Sequence, residues 1–157
     1  MLVAALVMVS GLVAWWRADH DAEANRAAVR DVVLIAATTD IETMNTLDYR
    51  HVDAGLARWR AVTTGTLHDQ LTQVSAQDRA LLAQQQKIST GKVVDAAVVD
   101  LGEGTATVIA SGEVTVRDGS NASAQPTLKR NRFTADLVDA GGTWKLETLD
   151  QVAVSMQ

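Results

Sequence analysis

The chain has 157 residues, 47% of them hydrophobic, with 14 Lys and Arg against 19 Asp and Glu and a net charge of −5; this is apolar material for one core and hardly for two. An acidic balance with scattered basic residues offers no phosphate-binding face, which sets nucleic acid aside as a partner. Cysteine is absent and His20, His51 and His68 stand far apart, none beside a carboxylate at metal-ligand spacing, so neither a metal nor a cofactor is expected.

The first element is an uncharged run over residues 1–16, followed at once by Arg17 and the polar stretch Ala18-Asp19-His20-Asp21. As a helix it measures about 24 Å, a little short of the hydrocarbon core of about 30 Å. Trp15, Trp16 and Arg17 suit the headgroup level, where amphipathic rings and snorkelling arginines are favoured. Residues 1–16 are therefore read as a transmembrane anchor and 17–157 as a folded domain. A signal peptide needs a basic start and a small-residue cleavage site close behind the apolar run, but Ala22-Glu23-Ala24 lies well beyond the tryptophans. A buried core helix would show a polar face before Arg17. Ala4, Val7, Gly11 and Ala14 recur at heptad-like spacing and Ser10 with Ala14 adds a small-x-x-x-small pair, which makes this face the expected packing surface against another transmembrane helix. Charge counting, with Arg17, Arg26 and Arg30 all behind the run, would put the domain in the cytoplasm.

Helical periodicity continues through Ala24, Ala28, Val32, Ile35, Ile41, Met44 and Leu47, with no glycine or proline between Leu12 and Tyr49, so the anchor runs into the first domain helix. Asp53 is placed as the N-cap of a short second helix reaching Trp59. A third helix is expected over 66–86, with Leu67, Leu71, Val74, Leu81 and Leu82 as its stripe. After Gln86 the period becomes two. Strands are expected over 89–101, 105–117, 128–138 and 143–152, joined by short turn-rich connections, hence antiparallel neighbours. In the second of them Ala106, Val108, Ala110, Gly112 and Val114 take the buried face; Phe133, Ala135 and Leu137 point inward from the third. Helices over about 17–86 and a curved, antiparallel four-stranded sheet over about 87–157 make an α+β domain, for which the cystatin-like cone of the nuclear transport factor 2 superfamily is one known solution.

Individual residues admit two readings. Tyr49, His51 and Asp53 are the residue types that small cone-fold isomerases and dehydratases use for acid–base work, yet a helix cap and a packed turn explain them more simply. Asp136 is expected on the outward face of its strand together with Arg130 and Arg132. Lys129, Arg130 and Arg132 form a basic cluster suited to lipid headgroups or an acidic partner, or simply to a solvated face. Trp59, Phe133 and Trp144 could line a lipid pocket but serve equally as the bulk of the core. Asn121-Ala122-Ser123 matches a glycosylation sequon.

Three segments together carry a family resemblance: Thr46-Leu47-Asp48-Tyr49-Arg50-His51-Val52-Asp53 at the end of the alanine-rich helix, Ser89-Thr90-Gly91-Lys92-Val93 opening the sheet, and Gly142-Thr143-Trp144-Lys145-Leu146 in the last strand. With the apolar start, the chain resembles the Mce-associated membrane proteins of actinobacteria over nearly its whole length. The resemblance implies a single-pass protein of the cell inner membrane, N-terminus cytoplasmic and domain in the periplasmic space, against the orientation that charge counting suggests. It implies partners in the transmembrane and extracytoplasmic subunits of an Mce-type lipid-import transporter, contact with membrane lipid, and a fold shared with periplasmic domains of type IV secretion inner-membrane subunits. An accessory subunit without catalytic residues is the resulting expectation. The alternatives are a lipid-carrying cone and, further off, a small isomerase or dehydratase.

Overall fold

A computed structural model describes the backbone at residues 2–121 and 123–152 and the side chains at 23–121 and 123–152. Helix α1 is Leu2–Met44. By its contacts the chain divides into two compact units, Met1–Val32 and Val33–Gln157. Among the described residues no helix is long and apolar enough to cross a membrane. The anchor expected over 1–16, with its packing face at Ala4, Val7, Ser10, Gly11 and Ala14 and its interfacial Trp15, Trp16 and Arg17, falls on side chains outside the described ones.

The second unit is the α+β domain. It contains the end of α1, strand β1 (Leu47–Asp48), a single 3-10 turn (Tyr49–His51), helices α2 (Val52–Ala61), α3 (Gly65–Thr72) and α4 (Ala76–Gln84), and strands β2 (Lys87–Leu101), β3 (Thr105–Asp118), β4 (Thr127–Asp139) and β5 (Trp144–Val152). The five strands form one sheet in chain order, antiparallel throughout. Four were expected. The additional one, β1, pairs only Leu47 with Ser89 and Asp48 with Ile88, and two residues are too few to display a two-residue period.

The sheet bends at three irregularities, two of them in β2. There the sequence repeats Val-Val-Asp at a five-residue interval, and in each copy the second valine, Val94 or Val99, has no partner on β3. An extra residue on one strand increases local twist and re-aims its side chain; Val94 and Val99 are both exposed.

The core lies between the end of α1 and the inner face of the sheet. Val33, Ala37 and Ile41, at four-residue spacing, are buried, as are Ala106, Val108, Ala110 and Val114 on β3, Phe133, Ala135 and Leu137 on β4, and Leu146 on β5. Each of the large members contributes about 1.5–3 kcal/mol by leaving water. The expected inner faces of β3 and β4 are thus the observed ones.

The end of α1 is tied to both neighbours. Asn45 Nδ2 and Thr46 Oγ1 donate to the Ile41 and Glu42 carbonyls at 2.8 Å each, closing the last turn. Thr46 Oγ1 also accepts from Gly91 N at 3.1 Å, and Glu42 Oε1 from Val93 N at 2.9 Å, so two N–H groups on the border of β2 are satisfied by helix side chains instead of by another strand. Gly91 has to be glycine for this: a Cβ there would lie 2.6 Å from Asn45 Cβ and 3.0 Å from the Glu42 carbonyl oxygen. Trp59 of α2 donates its indole N–H to the Thr43 carbonyl at 2.8 Å, which makes it a brace between helices rather than a pocket wall.

Two helical expectations change. The single helix over 66–86 is two, because Ser75 and Asp78 form a reciprocal capping box that starts α4 afresh. Leu71 is buried as expected, but Leu81 is exposed. Asp53 is not an N-cap; it sits in the first turn of α2, which His51 precedes without a side-chain cap, and the capping carboxylate in this region is Asp48, which accepts from Arg50 N.

Candidate functional site

Tyr49, His51 and Asp53 are brought together on the rim of one open hollow of about 510 Å³, with Arg50, Arg79 and Ala83 among its other walls. They do not converge on a point. The Tyr49 hydroxyl is aimed at the Gly119 carbonyl at 3.5 Å, His51 Nδ1 stands 3.7 Å from Asp48, and Asp53, 84% exposed, reaches Arg79 at 3.4 Å. The Arg50 guanidinium grips Asp48 through Nε and Nη2, at 3.0 and 2.7 Å, and together with the Arg50 backbone N–H holds that carboxyl well below the usual carboxylate range. The corner is a solvated set of caps and ion pairs, without the dry cavity that acid–base chemistry requires.

Beside Gly91, α1 packs closely against the sheet. The gap lined by Ile41, Glu42, Asn45, Gly91, Val114 and Phe133 has no room for a water molecule. One ionisable group is nevertheless inside: Asp40 of α1 is 7% exposed, and its Oδ2 has no hydrogen-bond partner. Burial pushes its carboxyl up to about 6, with the charge of Lys145 acting the other way. Asp40 belongs to no motif in the sequence. The signal was present, since Asp40 stands three residues after Ala37 and seven after Val33, on the stripe that faces the core.

The outer face of the sheet carries the rest of the chemistry. Directly opposed residues of an antiparallel pair share a face, which separates the basic cluster: Arg130 and Arg132 lie outward in the rows of Glu113 and Ser111, whereas Lys129 lies in the row of buried Val114. Arg130 pairs with Glu113 at 3.2 Å. Asp136 is outward as expected, and accepts from Thr107 on β3 and Thr148 on β5, both at 2.8 Å, a cross-strand clamp on the solvent side. Two adjoining hollows of about 330 and 310 Å³ lie on this face; Ser111 and Arg132 line both, Ile109 and Val152 the first, Val94 and Arg130 the second.

The family model described as "Uncharacterized protein Rv1363c/MT1408-like" matches residues 1–153. The chain belongs to this family. No curated protein matches it in sequence. Among solved structures, the Rv1363c/MT1408-like chain is similar to an IcmL-like type IV secretion system protein from Legionella pneumophila, at 10% identity and a TM-score of 0.63, over 84% of this chain and 95% of that one. It is similar to the periplasmic domain of DotI, at 13% identity and a TM-score of 0.61, over 78% and 94%. A third is the β subunit of a putative aromatic-ring-hydroxylating dioxygenase from Novosphingobium aromaticivorans, at 9% and 0.56, over 84% and 93%. At such identities these likenesses concern the fold, and the fold shared with a type IV secretion protein is the one the resemblance implied.

Proposed function

We propose that this Rv1363c/MT1408-like protein is a membrane-anchored accessory subunit of a transport complex, which docks onto or stabilises an Mce-type lipid importer from the periplasmic side. The observation that carries this reading is where the open space lies: the gap between α1 and the sheet beside Gly91 and Phe133 admits no water, while open hollows lie on outer surfaces. Hollows on the outside are surface to offer a protein partner. The fold shared with the periplasmic domain of DotI and the uncharged run over 1–16 support the inner-membrane location, with the N-terminus in the cytoplasm.

The test is recovery of the tagged protein from mildly solubilised membranes, with protein and lipid mass spectrometry on the same eluate. Stoichiometric transmembrane and extracytoplasmic transporter subunits are expected. Recovery alone with one defined lipid would replace the accessory role by that of a carrier, and recovery with neither would remove the transporter from the account.

A further inference from the structure

We propose that the outer face of the sheet, where Lys92 of β2 and Arg132 of β4 flank β3, is the docking site for an extended acidic segment of a partner protein, with two carboxylates four residues apart and an apolar side chain midway between them. This rests on the accessory role and names the surface that such a role requires. The two ends of the face differ in charge. The cross-strand rows of Thr107 and Ile109 carry Asp100, Asp136 and Asp150 and no base, whereas those of Ser111 and Glu113 carry Lys92, Arg130 and Arg132 against Asp95 and Glu113. Arg130 and Glu113 are engaged with each other at 3.2 Å. Among the described residues Lys92 and Arg132 form no ion pair.

Lys92 lies in the row of Glu113 and Arg132 in the row of Ser111, so the two bases stand on a diagonal across β3. Two strand spacings across and two residues along place their Cα atoms about 12 Å apart. An extended segment laid on that diagonal presents its side chains i and i+4 on one side at a separation of about 13 Å, with i+2 between them. At the midpoint is the hollow of about 310 Å³, lined by Ser111, Glu113 and Val94 among others. Val94 is 61% exposed, and the first bulge of β2 leaves it without a partner on β3; an apolar side chain at i+2 covers it. The remaining carboxylates favour a polypeptide over a membrane surface. A continuous layer of anionic headgroups would meet Asp95 and Glu113 together with the bases, whereas discrete acids on a segment crossing between Ser111 and Glu113 meet Lys92 and Arg132 and leave Asp95 to one side.

Carbodiimide coupling of the tagged full-length protein in intact membranes tests this, because it joins a lysine amine directly to a carboxylate in contact with it. The lysines of the chain are Lys87, Lys92, Lys129 and Lys145, and mass spectrometry of the digest assigns each joint to its residues. Lys92 is expected to be joined to an Asp or Glu of another protein. R132K is expected to add a second joint, to an acid four residues away in the same segment, with an apolar residue midway. R132E should lower the yield at Lys92 about fivefold or more by setting like charges together. K129E makes the same change of charge three residues away, in the row of buried Val114, and should leave that yield as it is. Equal thermal unfolding of the variants keeps folding out of the comparison. Joints from Lys92 only to carboxylates of this chain's own sequence, or no joint at Lys92, as phosphate headgroups would give, would overturn the proposal. So would a second acid at another spacing, or equal losses with R132E and K129E. A joint to a protein outside the transporter keeps this site and removes the importer, while recovery of transporter subunits without a joint at Lys92 does the reverse.

Discussion

Replacing Asp40 by asparagine removes the charge that the core accommodates least well. The carboxyl titrates near 6 in the fold against 3.8 for the free side chain, so unfolding releases a proton between those values and stability falls as the pH rises through that window. About two pKa units correspond to roughly 3 kcal/mol between pH 4 and pH 7. The contribution is fully present below about pH 4 and gone above about pH 7. Asparagine is nearly isosteric and never charges, but its amide brings donors that the site does not satisfy, so a net gain of about 1–2 kcal/mol at pH 7.5 is expected, and no gain at pH 4. Urea unfolding followed by tryptophan fluorescence at pH 4, 5, 6 and 7.5 measures this as the difference between two curves. Asp48, Asp78 and Asp118 have lowered values, and their stabilisation is lost only as the pH falls below the ordinary carboxylate range; they are common to both proteins and cancel. Parallel curves across the window, or a variant less stable than the wild type at pH 7.5, would refute the reasoning.

Other substitutions probe the joints of the domain. Lys145→Gln removes a charge that holds Asp40 down, so the pH at which stability falls should move above 6, read in the same titration. Gly91→Ala drives a methyl group against Asn45 and the Glu42 carbonyl, and should lower stability by about 1–3 kcal/mol, seen as a lower melting temperature, with loss of amide protection at Val93. Trp59→Phe leaves the Thr43 and Thr46 carbonyls without their indole donor; a loss of about 1–2 kcal/mol by chemical denaturation is expected. Ser75→Ala breaks the capping box and should speed hydrogen exchange in α4 while leaving that of β3 and β4 unchanged.

Legibility followed the length over which a pattern repeats. The alternation of Ala106, Val108 and Ala110 with Thr107, Ile109 and Ser111 specifies both the strand and its buried face, because a slip of one residue would invert every side chain. Strand β1 had no such length to declare itself. The break between α3 and α4 was written as Ser75 followed three residues later by Asp78, but it was hidden among glutamines and leucines that prolong a helical reading. The same two-residue period, applied to Lys129, Arg130 and Arg132, would have divided the basic cluster in advance; grouping by nearness in the chain joined residues that the pleat sends apart. Tyr49, His51 and Asp53, equally near in the chain, share a rim and have different partners. What no local pattern could supply was the fit of α1 against the sheet, and with it the isolation of Asp40, since these depend on contacts such as Gly91 with Asn45, 46 residues apart.

The border of β2 bears on crowding. An open sheet edge is a template onto which any extended chain can crystallise, and the hazard grows where copies are confined to two dimensions. Here the first amides of that border are already occupied by Thr46 and Glu42, and beyond them the twin Val-Val-Asp steps make the line too crooked to copy. A mutation that straightened β2, such as deletion of Val94 or Val99, would turn a border that now refuses strands into a seed for filaments.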